Sequence, residues 1–283
     1  MDIMAPWRFF TSVSHEIERT NLGLISAGCA FFGMVAIFPA IAAIIAIFGL
    51  VADVDVVRDQ LGLLRDIMPE QAYLLLARQV NSLLNTRSHT LGWASAVSIL
   101  FALWSARAGV AAIMRGLNEI HGTPNRGGLR QALVALLLTV ALVSVAVVSL
   151  VAVVVAPVVL AFLPLGPAAT WAAEAVRWGL ALAVLLIGLG ILYRYGPNAR
   201  GHRPKWLTPG STFAVVTWLA ASIGFSIYLT NFGNYNKVYG SIGAVIALLM
   251  WFYISAYLVL LGAVLNDMIR LRSERRKHAT ATR

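Results

Sequence analysis

Apolar runs of about 20 residues recur along the whole of this 283-residue chain, and they decide its fold class before any other feature is weighed. Each run is long enough to cross the roughly 30 Å hydrocarbon layer as a helix. Composition agrees: 59% of the residues are hydrophobic, only 12% are charged and the mean hydropathy is +0.79. A water-soluble surface needs roughly a quarter charged residues. The expected fold is therefore an all-α membrane protein, a six-transmembrane-helix bundle with two amphipathic helices in the first outer, periplasmic connection.

The spans are expected at about 22–52, 91–113, 132–157, 171–195, 209–229 and 240–269, in a single transmembrane domain over 1–269. Pro39 predicts a kink in the first, because proline removes a helix hydrogen bond and clashes with the preceding turn. Gly23, Ala27, Gly28 and Gly33 would let another helix approach it closely. Over about 54–86 the character changes to mixed charge: Val57, Leu61, Leu64 and Met68, then Tyr73, Ala77, Val80 and Leu84, repeat at helical spacing. Gly122, Pro124, Gly127 and Gly128 predict a turn, and Thr208 with Pro209 predicts the capped start of the fifth span.

A net charge of +10 raises the question of a nucleic-acid partner, and the placement of the charge answers it. The basic residues gather in alternate connections: Arg8 and Arg19, then Arg115, Arg126 and Arg130, then Arg194, Arg200, Arg203 and Lys205, then the tail. That is a topology signature, which places both termini in the cytoplasm and the connections at about 53–90, 163–170 and 230–239 outside. The implied partner is the bilayer, with anionic lipids as candidates; no nucleic acid is implied, and nothing sets an oligomeric state. Cys29 is the only cysteine, which excludes an internal disulfide and a cysteine-based metal cluster. Glu16, Glu18 and Arg19 precede an apolar run too long for a signal peptide, so the first span is expected to be retained.

Several motifs recur together in one group of bacterial proteins. They are Leu100-Phe101-Ala102-Leu103-Trp104-Ser105-Ala106-Arg107 running to Gly116-Leu117-Asn118, the Tyr193-Arg194 pair before Pro197, and Pro209-Gly210. Most specific are Tyr239-Gly240-Ser241-Ile242-Gly243-Ala244, Trp251-Phe252-Tyr253-Ile254-Ser255 and Gly262-Ala263-Val264-Leu265-Asn266. In these the chain resembles the YihY/BrkB family of bacterial inner-membrane proteins over nearly its whole length. The resemblance implies a multi-span protein, often described as a transporter or virulence-associated factor, with no agreed catalytic residues. Some members carry an older ribonuclease label. Many members have an acidic residue where this chain has Val264, three residues before Asp267.

Hydrolytic RNA cleavage needs paired carboxylates, a metal cluster, or a general acid and base set close together. His15, His89, His121, His202 and His278 stand apart from one another, with no Cys, Asp or second His at ligand spacing. No phosphate-cradling Gly-Lys-Ser/Thr loop and no Gly-x-Ser-x-Gly elbow occurs. The expectation is no enzyme, no catalytic residue, no metal and no cofactor.

Polar residues inside spans are the candidates that remain, because hydrocarbon makes them costly. At about 100° per residue Arg107 and Asn118 share a face of the second span, with Arg115 about 80° away. Arg107 either snorkels to the cytoplasmic interface or points into the bundle towards Asn266. Ser255 and Asn266 lie on a small-residue face of the last span with Ser241, Ala244 and Gly262, which fits close packing or a lining role. With Asp267 these form a candidate polar pathway. Asn231, Asn234, Tyr235, Asn236, Lys237 and Tyr239 make either a plain turn or an outer gate. In the basic cytoplasmic tail, 270–283, the residues Arg270, Arg272, Arg275, Arg276 and Lys277 anchor topology or hold lipid heads, and disorder is expected beyond about His278.

The leading functional expectation is a transporter or translocator of an amphiphilic or anionic substrate. Behind it stands a non-transporting structural or envelope-maintenance protein, and last a ribonuclease.

Overall fold

The computed structural model describes residues 4–51, 91–161, 167–198, 204–231 and 241–281. Its helices are α1 (Met4–Arg19), α2 (Leu22–Val51), α3 (Leu91–Ile120), α4 (Gly128–Ala161), α5 (Pro167–Tyr195), α6 (Pro209–Asn231) and α7 (Ser241–Ala281), with no strand among the described residues. Five of these, α3 to α7, are long and apolar enough to cross a membrane, and α1 with α2 makes a sixth if the bent pair is one span. The expected surface helices at about 54–86 lie outside the described residues.

Spatial order follows chain order. Each helix from α2 to α7 packs on the next, and α7 returns to pack on α2 and touch α3, so the bundle closes on itself. At one end the closure is tight. Leu22, Leu117, Ile120, Leu192, Tyr193, Leu260, Ala263 and Val264 form a continuous buried cluster from α2, α3, α5 and α7. Glycines bring the chain segments together: Gly33 faces the Phe252 ring, and Gly109 of α3 faces Gly33.

α2 is helical through Pro39, and a bend of 55° separates α1 from α2. There Asn21 adopts φ 49°, a left-handed conformation that asparagine tolerates, while Thr20 donates from N and Oγ1 to Glu16 O at 3.1 and 2.8 Å. α7 continues past His278, where the sequence predicts disorder to begin, to Ala281, and in its basic stretch Arg270 meets Asp267 at 2.6 Å and Glu274 at 3.8 Å, pairs at the spacing that supports a helix.

α1 is an element that the sequence reading left out. Its signal was present, since Phe9, Val13 and Ile17 recur every fourth residue beside Phe10, and Ile17 packs on the main core cluster.

Candidate functional site

The polar side chains of the described residues concentrate at the end of the bundle where α1, the turn 121–127, the end of α5, the start of α6 and the last third of α7 meet. Asn118 is the hub of the α3 side. It is buried, donates Nδ2 to Asn125 Oδ1 at 2.8 Å and accepts Asn198 N at 2.7 Å and Thr123 Oγ1 at 3.3 Å on Oδ1. Arg126 then caps the end of α5, donating to the carbonyls of Gly196 and Pro197, each at 2.7 Å, and of Tyr195 at 3.3 Å. Those carbonyls have no partner inside the helix. Burial, and after it the adjacent Arg130, lowers the Arg126 pKa from its ordinary value, yet a guanidinium stays charged.

On the α6 side Thr208 caps as expected, its Oγ1 accepting Ser211 N at 3.1 Å, with Ser211 Oγ accepting Thr208 N at 3.0 Å in return. Asn266 of α7 completes that cap: its Oδ1 accepts Gly210 N at 2.8 Å and its Nδ2 donates to Thr208 Oγ1 at 2.8 Å. Gly210 and Gly262 let the two backbones touch at this point. Tyr193 Oη donates to Val259 O at 2.5 Å, fastening α5 to the same stretch of α7.

Asp267 is the one buried carboxylate among the described residues. It accepts Arg270 Nη2 at 2.6 Å and lies 4.0 Å from His121 Nε2. His121 Nδ1 is 2.7 Å from Leu117 O, which only accepts, so Nδ1 carries the proton and the contact with Asp267 becomes an ion pair only when Nε2 is protonated too. Beside Asp267 a cavity of about 500 Å³ opens between α1 and α7, lined by Thr11, Ser12, His15, Glu16, Asp267, Met268, Leu271 and Arg272. Among the described residues no three of His, Cys, Asp and Glu are grouped so as to hold a metal ion.

The proposed polar pathway is not drawn together. Asn118 joins the turn 121–127 to α5, Asn266 joins α7 to α6, and Ser255 accepts Trp218 Nε1 at 2.9 Å, again on α6. Asp267 faces His121 and Arg270, while Arg115 is exposed. Arg107 does not reach Asn266. Gly109 is level with Gly33, and Gly33 with Phe252, so Asn266 stands about fourteen residues, roughly 21 Å, further along α7. The Arg107 guanidinium stacks on the exposed Trp104 ring, 4.2 Å from its centroid, and its Nε is buried without a hydrogen-bond partner. Its face of the helix, shared with Ala111 and Met114, packs on Ala135 and Leu138 of α4.

Sequence reasoning missed Gln131. It is 8% exposed, and neither its amide nitrogen nor its oxygen is paired. The signal was its place as the polar residue on the stripe Gln131, Ala135, Leu138 that turns towards α3. Of the outer-gate residues, Asn231 ends α6 and the other five lie outside the described residues. Arg275, Arg276 and Lys277 lie on the α7 backbone, with side chains outside the described set.

Residues 13–283 match the family described as Virulence factor BrkB. The chain belongs to the YihY/BrkB family. Among BrkB relatives, the ribonuclease-like protein YfkH of Bacillus subtilis (strain 168) is 33% identical over 257 residues, 88% of this chain and 90% of that one. A UPF0761 membrane protein of Xanthomonas oryzae pv. oryzae (strain PXO99A) is 40% identical over 96 residues, 34% of this chain and 22% of its own length. One from Xanthomonas campestris pv. campestris (strain 8004) is 38% identical over 96 residues. No solved structure matches. The chain is thus an integral membrane protein of the BrkB family. Val264 is fully buried in the cluster that closes the bundle.

Asn118→Ala is expected to lower stability by about 1–2 kcal/mol, because it removes the acceptor of the part-buried Asn198 N, while the exposed Asn125 can turn to water. Asn118→Asp keeps the acceptor and should lose less. Thermal melts in detergent distinguish them, and an Asn118→Ala protein that melts like wild type removes Asn118 from its place as hub.

Proposed function

We propose that this BrkB-family protein crosses the bacterial inner membrane six times, with both termini in the cytoplasm, and translocates an anionic amphiphile rather than catalysing a reaction. The observation that carries the reading is Arg107. It sits eight residues, about 12 Å, deeper than the exposed Arg115, further than an arginine side chain extends to meet the interface. It cannot shed its charge, its Nε has no partner among the described residues, and the neighbour of its guanidinium is the Trp104 ring. An anionic headgroup offers the bidentate acceptor that this guanidinium lacks. The buried cluster of Leu117, Leu192, Tyr193, Leu260 and Val264 lies between it and the polar end, as a gate closed on that side would.

A second reading, a non-transporting envelope-maintenance protein, draws support from Ser255, Gly262 and Asn266. All three are used in packing α7 on α6. The word ribonuclease in the name of YfkH belongs to that protein. Movement of labelled phosphatidylglycerol across reconstituted vesicles separates the first two readings: protein-dependent movement supports translocation, and its absence with folded protein supports maintenance.

Topology has its own test. With the buried Cys29 replaced, single cysteines at Ser88 and Thr230 should react with an impermeant reagent from the periplasm, and those at Arg203 and Thr280 should not. Reaction of position 203 from outside overturns the arrangement.

A further inference from the structure

The segment from Pro204 to Thr208 that leads from α5 to α6 folds back along α5 instead of running out into solvent. Gly190 makes this possible: the Trp206 carbonyl and indole ring lie so near its backbone that a Cβ there would sit 3.0 Å from Trp206 O and 3.1 Å from the ring. Trp206 therefore occupies a level one turn, about 6 Å, before Arg194 on the helix.

Around that fold five side chains make a surface of two kinds. Trp206 is 50% exposed, Leu207 61% and Tyr195 37%, an apolar and aromatic patch at the end of α5. Arg194 stands over it, its guanidinium 5.4 Å from the Trp206 centroid and 6.0 Å from that of Tyr195, and Lys205 is exposed beside it. Arg194 is poorly paired for a charged group. Its Nη1 reaches Pro204 O at a long 3.3 Å, and its Nε is buried without a partner among the described residues. Indole and phenol rings below a cation, at the end of a membrane span, match the layering of a phospholipid, acyl chain below and phosphate above.

We infer that Arg194 and Lys205, over the Trp206, Leu207 and Tyr195 patch, bind the phosphate of an anionic phospholipid of the phosphatidylglycerol class. The site requires only that the protein is embedded in a bilayer, and it stands whether or not the protein translocates anything. The apolar part selects a lipid over free phosphate, and the two cations select an anionic over a zwitterionic headgroup.

The protein is reconstituted into phosphatidylcholine vesicles with a small fraction of brominated phosphatidylglycerol or brominated phosphatidylcholine. Quenching of Trp206 fluorescence is read by subtracting a Trp206→Phe protein. Quenching by the brominated anionic lipid should exceed that by the zwitterionic one, and inorganic phosphate should leave the excess in place. Arg194→Gln should weaken the preference about fivefold, and the exposed Lys205→Gln by a similar factor. Equal quenching by the two lipids in the unaltered protein overturns the site. So does an excess that survives in the double variant with an unchanged melting temperature, or one that inorganic phosphate abolishes.

Discussion

Alanine at Gly210 or at Gly262 is expected to leave little folded protein. A Cβ on Gly210 would overlap the carbonyl oxygen of Gly262 and stand 2.6 Å from the Asn266 side chain; one on Gly262 would stand 2.5 Å from Gly210 O, 2.6 Å from Tyr193 Oη and 2.9 Å from the Ala214 Cβ. Two of these obstacles are backbone atoms, which no rotamer change can move. Separating α6 from α7 would also break the Asn266 cap on Gly210 N and stretch the Tyr193 bond to Val259 O. The cost should therefore lie at or above the upper end of the roughly 1–3 kcal/mol usual for overpacking, and the stranded Gly210 N adds to it. Gly28 and Gly224 are the controls, because nothing lies within 4 Å of a Cβ at either. Alanine there should be neutral or stabilise by up to about 1 kcal/mol, the helix preference for alanine over glycine. Size-exclusion profiles of fluorescent fusions with thermal melts read the difference. A Gly210→Ala protein as abundant and as stable as Gly28→Ala would show that the two backbones do not meet.

That contact also marks where the sequence was legible. The small-residue face of Ser255, Gly262 and Asn266 followed from 100° per residue, and periodicity is a local property that a sequence displays directly. The partner of that face did not follow, since periodicity carries no information about which helix lies opposite. Arg107 and Asn118 share a stripe in the sequence and in the structure, yet Asn118 is engaged by the α3–α4 turn and α5 while Asn266 is engaged by α6. One face of one helix thus failed to become one site. The capped start of α6 was readable because Thr208, Pro209 and Ser211 act within four residues. Arg126 was counted only as a charge for topology, and its capping of α5 spans about 70 residues of sequence, beyond what local pattern can show.

Arg107 is the test of the account as a whole, because translocation is attributed to a charge that has found no acceptor among the described residues. The measurement is the rate at which fluorescently labelled phosphatidylglycerol crosses vesicles containing wild-type, Arg107→Lys or Arg107→Leu protein, each first shown to be folded by its melting temperature. Arg107→Leu relieves a buried, unpaired donor, so it should melt no lower than wild type while losing translocation at least about tenfold. Arg107→Lys keeps the charge without the planar fork and should also fall well below wild type. If Arg107→Leu moves the lipid at the wild-type rate, the guanidinium is not part of a pathway and the proposed translocation mechanism is wrong.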